Sequence, residues 1–185
     1  FREIGRTDKH TRHAYDWFYE PLLRHKRDTA KNVLEIGVTY FGGGDLEAFG
    51  RYFPNAEVHG IDISPCELEG ENITMHVGDG YDPEFLSKFD GIKWDVVLDD
   101  GLHSKESQLA CLNYFHDKMA EGGILLVEDV IGDLDLSVAF DPTLRQTNAQ
   151  WIIENFQGDK NRLSLVNRAH TGSSPYKDEY ILLYM

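Results

Sequence analysis

Cysteine is scarce in this chain. There are two among 185 residues, Cys66 and Cys111, far apart and in no CxxC pair. That excludes a disulfide framework and a cysteine-built zinc site, and it suits a reducing compartment, so a cytoplasmic protein is expected. Long apolar runs are missing too. No stretch approaches the roughly 20 residues of a membrane span, and the first residues lack a signal-peptide pattern. The chain opens on Phe1 rather than a methionine, as a trimmed piece of a longer protein would. Positive charge is the third shortage: 18 Lys and Arg stand against 32 Asp and Glu, a formal net charge of −14. A surface of that sign repels polyphosphate and anionic lipid, so neither nucleic acid nor membrane is the expected partner. A small neutral or cationic ligand is. The shortage is uneven, because residues 1–31 hold eight Lys/Arg against five Asp/Glu.

What remains is enough for one domain over residues 1–185, with no internal repeat, low-complexity segment or linker to divide it. Short apolar runs alternate with stretches of helical period, the pattern of a parallel sheet with crossover helices in an α/β fold. Strands are expected at Asn32–Gly37, Glu57–Ile63, Ile73–Val77, Trp94–Asp99 and Gly123–Glu128. Helices are expected at "DLEAFGRYF", "PEFLSKF" and "KESQLACLNYFHDKM", the last closed by Gly122 and Gly123. A further helix lies around "LRQTNAQWIIENF", and "RLSLVNR" with "EYILLYM" reads as an antiparallel hairpin. The aromatic-rich "HTRHAYDWFYEPLLRH" makes residues 1–31 a helical cap. The irregular stretch Val130–Thr143 follows two acids, and a loop of that length reads either as a lid over a site or as a mobile surface loop.

In open parallel sheets, ligands bind beyond the carboxyl ends of the strands. The first strand ends in "EIGVTYFGGG". Gly37 frees the turn, and Gly42, Gly43 and Gly44 let a ligand approach the backbone where the next helix starts. The G-x-G-x-x-G spacing of a dinucleotide site is absent, and Glu35 would repel a pyrophosphate, which disfavours a nicotinamide oxidoreductase. Glu35 would instead face a cation. Asp62 in "GIDIS" stands where an acid accepts hydrogen bonds from ribose hydroxyls. Asp79 in "GDGYD" is available to an amino group such as that of adenine. A nucleoside joined to a positive charge fits this set, as S-adenosylmethionine does.

In "WDVVLDDGLHSKE", Asp100 follows the fourth expected strand, while Glu128 and Asp129 follow the fifth. Neighbouring parallel strands lie about 4.8 Å apart, so three carboxylates would meet and repel one another unless a cation is present. An all-oxygen set suits Mg²⁺. His103 is placed to accept a proton. The plain alternatives are an Asx turn at Asp99-Asp100-Gly101, a loop start at Glu128-Asp129 and a helix cap at His103-Ser104. Asp99, next to Asp100, should point elsewhere, toward the nucleoside ligand. His59 and His76, inside strands, are expected to be structural.

Taken together, "VLEIGV…GGG", "FPNAEVHGIDI", "HVGDGYDPEFL", "FDGIKWDVVLDDGLH" and "GGILLVEDV" resemble the class I S-adenosylmethionine-dependent methyltransferases. The resemblance is to the magnesium-dependent sugar O-methyltransferases of macrolide and related pathways, and to relatives known as cephalosporin hydroxylases. It covers most of residues 7–130. It implies a Rossmann-like sandwich with a seven-stranded, mostly parallel sheet whose last strand is antiparallel. It also implies that Glu35, Gly37, Asp62 and Asp79 contact S-adenosylmethionine, that Asp100, Glu128 and Asp129 hold Mg²⁺, and that Asp100 and His103 serve catalysis. Lys9 and Tyr15, in the family-like "TDKHTRHAYDWFY", are expected to help cover the cofactor or substrate. The loop carries Gly44 where many relatives have serine, which removes a hydrogen-bond donor to the methionine carboxylate. The expected function is O-methylation of a small-molecule hydroxyl, most simply on a sugar, with room for a homo-oligomer to complete the site. The alternatives are a metal-independent O-methyltransferase and a non-catalytic S-adenosylmethionine-binding protein.

Overall fold

The computed structural model describes residues 16–40, 42–131, 147–167 and 180–185. Lys9, Tyr15 and most of the lid stretch 130–143 lie outside them. The described elements are α1 (Asp16–Leu23), β1 (Asn32–Ile36), α2 (Gly44–Tyr52), β2 (Glu57–Asp62), β3 (Ile73–Val77), α3 (Pro83–Leu86), β4 (Trp94–Asp99), α4 (Lys105–Phe115), β5 (Met119–Val130), α5 (Asn148–Asn155), β6 (Leu163–Asn167) and β7 (Tyr180–Tyr184). The strands form one seven-stranded sheet in the order β3-β2-β1-β4-β5-β7-β6. β1 to β5 pair in parallel, and β7 runs antiparallel between β5 and β6. The expected mostly parallel sheet with an antiparallel C-terminal pair is therefore present.

Burial on both faces explains why the central strands are almost continuously apolar. One layer gathers Leu34, Ile36, Val97, Leu125 and Val127 with Cys111, Leu112 and Phe115 of α4. The other gathers Val33, Val58, Val96, Leu98 and Leu126 with Phe49 of α2. Tyr19 and Leu23 of α1 are fully buried in this second layer, so the N-terminal helix packs on a face of the sheet. It is tied down by Lys26, whose ammonium reaches Asp95 Oδ1 at 3.4 Å and the Glu121 carbonyl at 3.3 Å.

The fifth strand departs from the sequence reading at its start. Helix α4 stops at Phe115, and Met119, expected in the helix, already pairs with Trp94. Trp94 is fully buried, so its partner is drawn into the sheet. The slack is taken up before Val96 meets Ile124, where Gly122 adopts a left-handed φ of +63°.

Candidate active site

β1 and β4 are neighbours although β2 and β3 lie between them in the chain, so the direction of crossover reverses there and a crevice opens at their carboxyl ends. The two loops meet tightly. Gly37 has φ +88°, and a Cβ on it would lie 2.2 Å from the Asp100 carbonyl oxygen. The Gly37 amide donates to Ile61 O and the Asp100 amide to Ile36 O, each at 2.9 Å. Glycine at this turn thus lets β1 and β4 close on each other.

Beside this contact lies a pocket of about 290 Å³, lined by Gly37, Asp62, Asp79, Tyr81, Asp100 and Leu102, among others. Gly37, Asp62 and Asp79 were named from the sequence. Asp62 is engaged: its Oδ2 accepts from the amides of Val38 and Thr39 and from the Thr39 hydroxyl, each at 2.9 Å, while Oδ1 accepts from Ser64 N at 2.9 Å. Its carboxylate therefore moulds the β1–α2 loop as well as facing the pocket. Asp79 accepts from the Tyr81 amide at 2.9 Å. Three apolar residues at the pocket, Tyr40, Ile63 and Leu102, are 84%, 78% and 67% exposed and were not singled out beforehand. The available signal was an apolar residue directly after the strand-end acid, as in Asp62-Ile63.

The adjacent acids Asp99 and Asp100 go to different places, as the two-residue pleat of a strand requires. Asp99 pairs in register with Ile36 and Val127, on the α4 side of the sheet. It is 2% exposed and does not line the pocket. Its Oδ1 accepts from the Tyr81 hydroxyl at 2.6 Å and the Gly101 amide at 3.3 Å. Burial raises its pKa to about 6, against the lowering effect of those two hydrogen bonds. Burial and the neighbouring Asp99 together push the Cys111 thiol well above its ordinary value.

Asp100, His103 and Asp129 each offer a ligand atom, and these atoms all lie within 4.8 Å of one another. His103 Nε2 is 3.9 Å from Asp100 Oδ1 and 3.7 Å from Asp129 Oδ2. His103 is held just before α4, where Ser104 caps the helix by accepting from Ser107 N at 3.1 Å. The capping expected of this stretch and the projection of His103 coexist.

Asp129 arrives by an irregularity that the sequence did not announce. It has φ +51°, alone among the described non-glycine residues, at a break in the β5–β7 register between Val127 and Val130. Such bulges re-aim side chains, and a left-handed non-glycine residue is held only where its surroundings enforce it. Gln108 of α4 does so here: its Nε2 donates to the carbonyls of Glu128 at 2.9 Å and Asp129 at 3.3 Å. Glu128, the third acid expected at the metal, is fully buried, and among the described residues it belongs to neither potential metal-binding group. A second group joins Asp100 to Glu35 and Asp45 within the same 4.8 Å. Glu35, expected beside the cofactor, is fully buried there, under the start of α2. His59 and His76 pair with each other, Nδ1 to Nε2 at 3.0 Å, consistent with a structural role.

No model of a known family matches the chain. Among curated proteins, it is 33% identical over 132 residues to the 8-demethyl-8-alpha-L-rhamnosyl tetracenomycin-C 2'-O-methyltransferase of Streptomyces olivaceus, an alignment covering 67% of this chain and 35% of that protein. It is 30% identical over 125 residues to the demethylmacrocin O-methyltransferase of Streptomyces fradiae, covering 62% and 32%. These likenesses are consistent with a class I S-adenosylmethionine-dependent methyltransferase. Among solved structures, the MycE methyltransferase of mycinamycin biosynthesis, in complex with Mg, SAH and mycinamycin VI, superposes on this chain with a TM-score of 0.68 at 21% identity, covering 92% of this chain and 48% of MycE. The fold is shared more widely. A fibrillarin pre-rRNA processing protein from Methanococcus jannaschii gives a TM-score of 0.58 at 16% identity, covering 86% of this chain and 66% of the other. The aligned region spans about a third of the length of the curated relatives. Among the described residues, no helix is long and apolar enough to cross a membrane.

Proposed function

We propose that this methyltransferase transfers a methyl group from S-adenosylmethionine to a hydroxyl of a sugar-bearing small molecule, with a bound Mg²⁺. The observation that carries the reading is the turn of Asp129 toward Asp100 and His103 at the edge of the nucleoside-sized pocket that Asp100 itself lines. Relatives named as sugar O-methyltransferases support the acceptor class, and a neighbour in complex with Mg and SAH supports the cofactors.

The residues present fit both groups. Carboxylates with no thiol among the donors suit a hard cation. Asp100 and Asp129 would hold the ion, with Glu128 behind them as the third expected acid. Asp62 and Asp79 would take the ribose and adenine, Gly37 would give the cofactor room, and Glu35 would face its cationic end. Lys9 and Tyr15 are assigned to covering the site. S-adenosylmethionine supplies an electrophilic methyl group, and a bound Mg²⁺ would make a hydroxyl it touches more acidic. His103, 41% exposed at the side chain and 3.7 Å from Asp129 Oδ2, would accept the hydroxyl proton at Nε2. Ser104 fixes the start of α4 and so the approach of the imidazole.

The test is methyl transfer from labelled S-adenosylmethionine to a panel of rhamnosyl and other deoxysugar glycosides, with Mg²⁺ and with chelator. Turnover that chelator abolishes and Mg²⁺ restores is expected. Full turnover without a divalent cation would favour a metal-independent O-methyltransferase, and S-adenosylmethionine binding without turnover on any acceptor would favour the non-catalytic reading.

A further inference from the structure

Three hydrogen bonds converge between the pocket and the acidic cluster. The Tyr81 hydroxyl donates to Asp99 Oδ1 at 2.6 Å and accepts from the Leu102 amide at 2.8 Å, while the Tyr81 amide donates to Asp79 at 2.9 Å. The hydroxyl also presses on the chain directly after Asp100, since a Cβ on Gly101 would lie 2.3 Å from it. Tyr81 thus stands on the loop that carries Asp79 but fixes the segment that carries Asp100. With its pKa raised by burial and by Asp99, the phenol stays protonated and keeps donating.

We propose that Tyr81 is a positioning residue: its hydroxyl ties the nucleoside-side loop to the Asp100–Leu102 backbone, so that the pocket and the cation-binding carboxylate are set by one atom. The inference rests on the proposed function for its consequence in turnover, but its structural part does not. Phenylalanine at this position keeps the ring that lines the pocket and deletes both hydroxyl bonds. It takes the shortest of its hydrogen bonds from Asp99 and leaves the Leu102 amide without the phenolic acceptor.

The experiment compares the whole protein with Tyr81→Phe and with Tyr114→Phe, which removes the same atom from a hydrogen bond to Asp90 at 3.0 Å, away from the site. Amide exchange at Leu102 should speed at least tenfold in Tyr81→Phe and stay at the wild-type rate in Tyr114→Phe. Mn²⁺, followed by its paramagnetic resonance, should bind about tenfold more weakly to Tyr81→Phe. Binding of S-adenosylhomocysteine in calorimetry should change less than threefold, and kcat should fall while KM for S-adenosylmethionine holds. Unchanged exchange at Leu102, or parallel losses of cofactor and metal binding that track the melting temperature, would overturn the inference. A wild-type protein that binds neither probe but shows the exchange difference would refute the proposed function and leave the tether standing.

Discussion

Gly37→Ala and Gly42→Ala separate backbone strain from steric closure of the crevice. Both glycines have left-handed backbone, φ +88° and +65°. A Cβ at Gly42 meets no described atom within 4 Å, whereas one at Gly37 meets the Asp100 carbonyl oxygen at 2.2 Å and Gly101 Cα at 2.5 Å. An L-residue forced into left-handed backbone costs about 1–2 kcal/mol, which both variants should show. Overfilling a packed contact adds about 1–3 kcal/mol, which only Gly37→Ala should show. For a domain of this size, each kcal/mol lowers the melting temperature by roughly 2–4 °C. Gly42→Ala should therefore melt about 2–8 °C lower and Gly37→Ala about 4–20 °C lower. The more telling difference is in binding. A contact near 2.2 Å can be relieved only by moving the Asp100–Gly101 backbone away from β1, so Gly37→Ala should lose most of its affinity for S-adenosylhomocysteine and Mn²⁺. Gly42→Ala should keep the Mn²⁺ affinity. Calorimetric melts and titrations check both. Equal melting temperatures with intact binding in Gly37→Ala would show that the tight β1–β4 closure does not shape the site.

Gln108→Leu removes the donor to the Glu128 and Asp129 carbonyls together with a buried amide oxygen that finds no partner among the described residues. Its stability should stay within about 2 kcal/mol of wild type, since an unpaired polar atom goes with the lost bonds. Mn²⁺ affinity should nevertheless fall about tenfold as Asp129 relaxes from φ +51°. His76 is pushed down to about 4 by burial, then by His59 and Lys88, and His59 is lowered by burial against the raising effect of Glu57. Both are depressed bases, so the unfolded chain binds more protons below its ordinary histidine value of about 6.5. Urea midpoints should fall as pH drops from about 6.5 toward 4, and His76→Asn should flatten that slope. Asp95 accepts from Lys26 Nζ at 3.4 Å, Lys31 N at 2.7 Å and Asn32 N at 3.2 Å, in a pair only 11% and 14% exposed. Asp95→Ala should cost about 2–4 kcal/mol in chemical denaturation by stranding those donors.

The sheet was legible because each central strand is a short, mostly apolar run; β4 ends at Asp99 as expected, and β2 stops at Asp62, one residue before the expected Ile63. The start of β5 was not, because Met119 reads equally as a helical position and as a strand residue. Only its pairing with the buried Trp94 decides between them. In the site, Asp100, His103 and Asp129 were named from their positions at strand ends. The way Asp129 reaches them was hidden, since a bulge held by Gln108 from another element leaves no local mark. Tyr81 was overlooked for a similar reason: within "GDGYD" it reads as one more turn aromatic, and its partners Asp99 and Leu102 lie about twenty residues away.

The most direct measurement is anomalous scattering from crystals grown with Mn²⁺ and S-adenosylhomocysteine. The expected result is a single strong peak bonded to carboxylate oxygens of Asp100 and Asp129, beside the ribose-bearing pocket and within reach of His103. A peak between Glu35 and Asp45 instead, or no peak with S-adenosylhomocysteine bound, would contradict it.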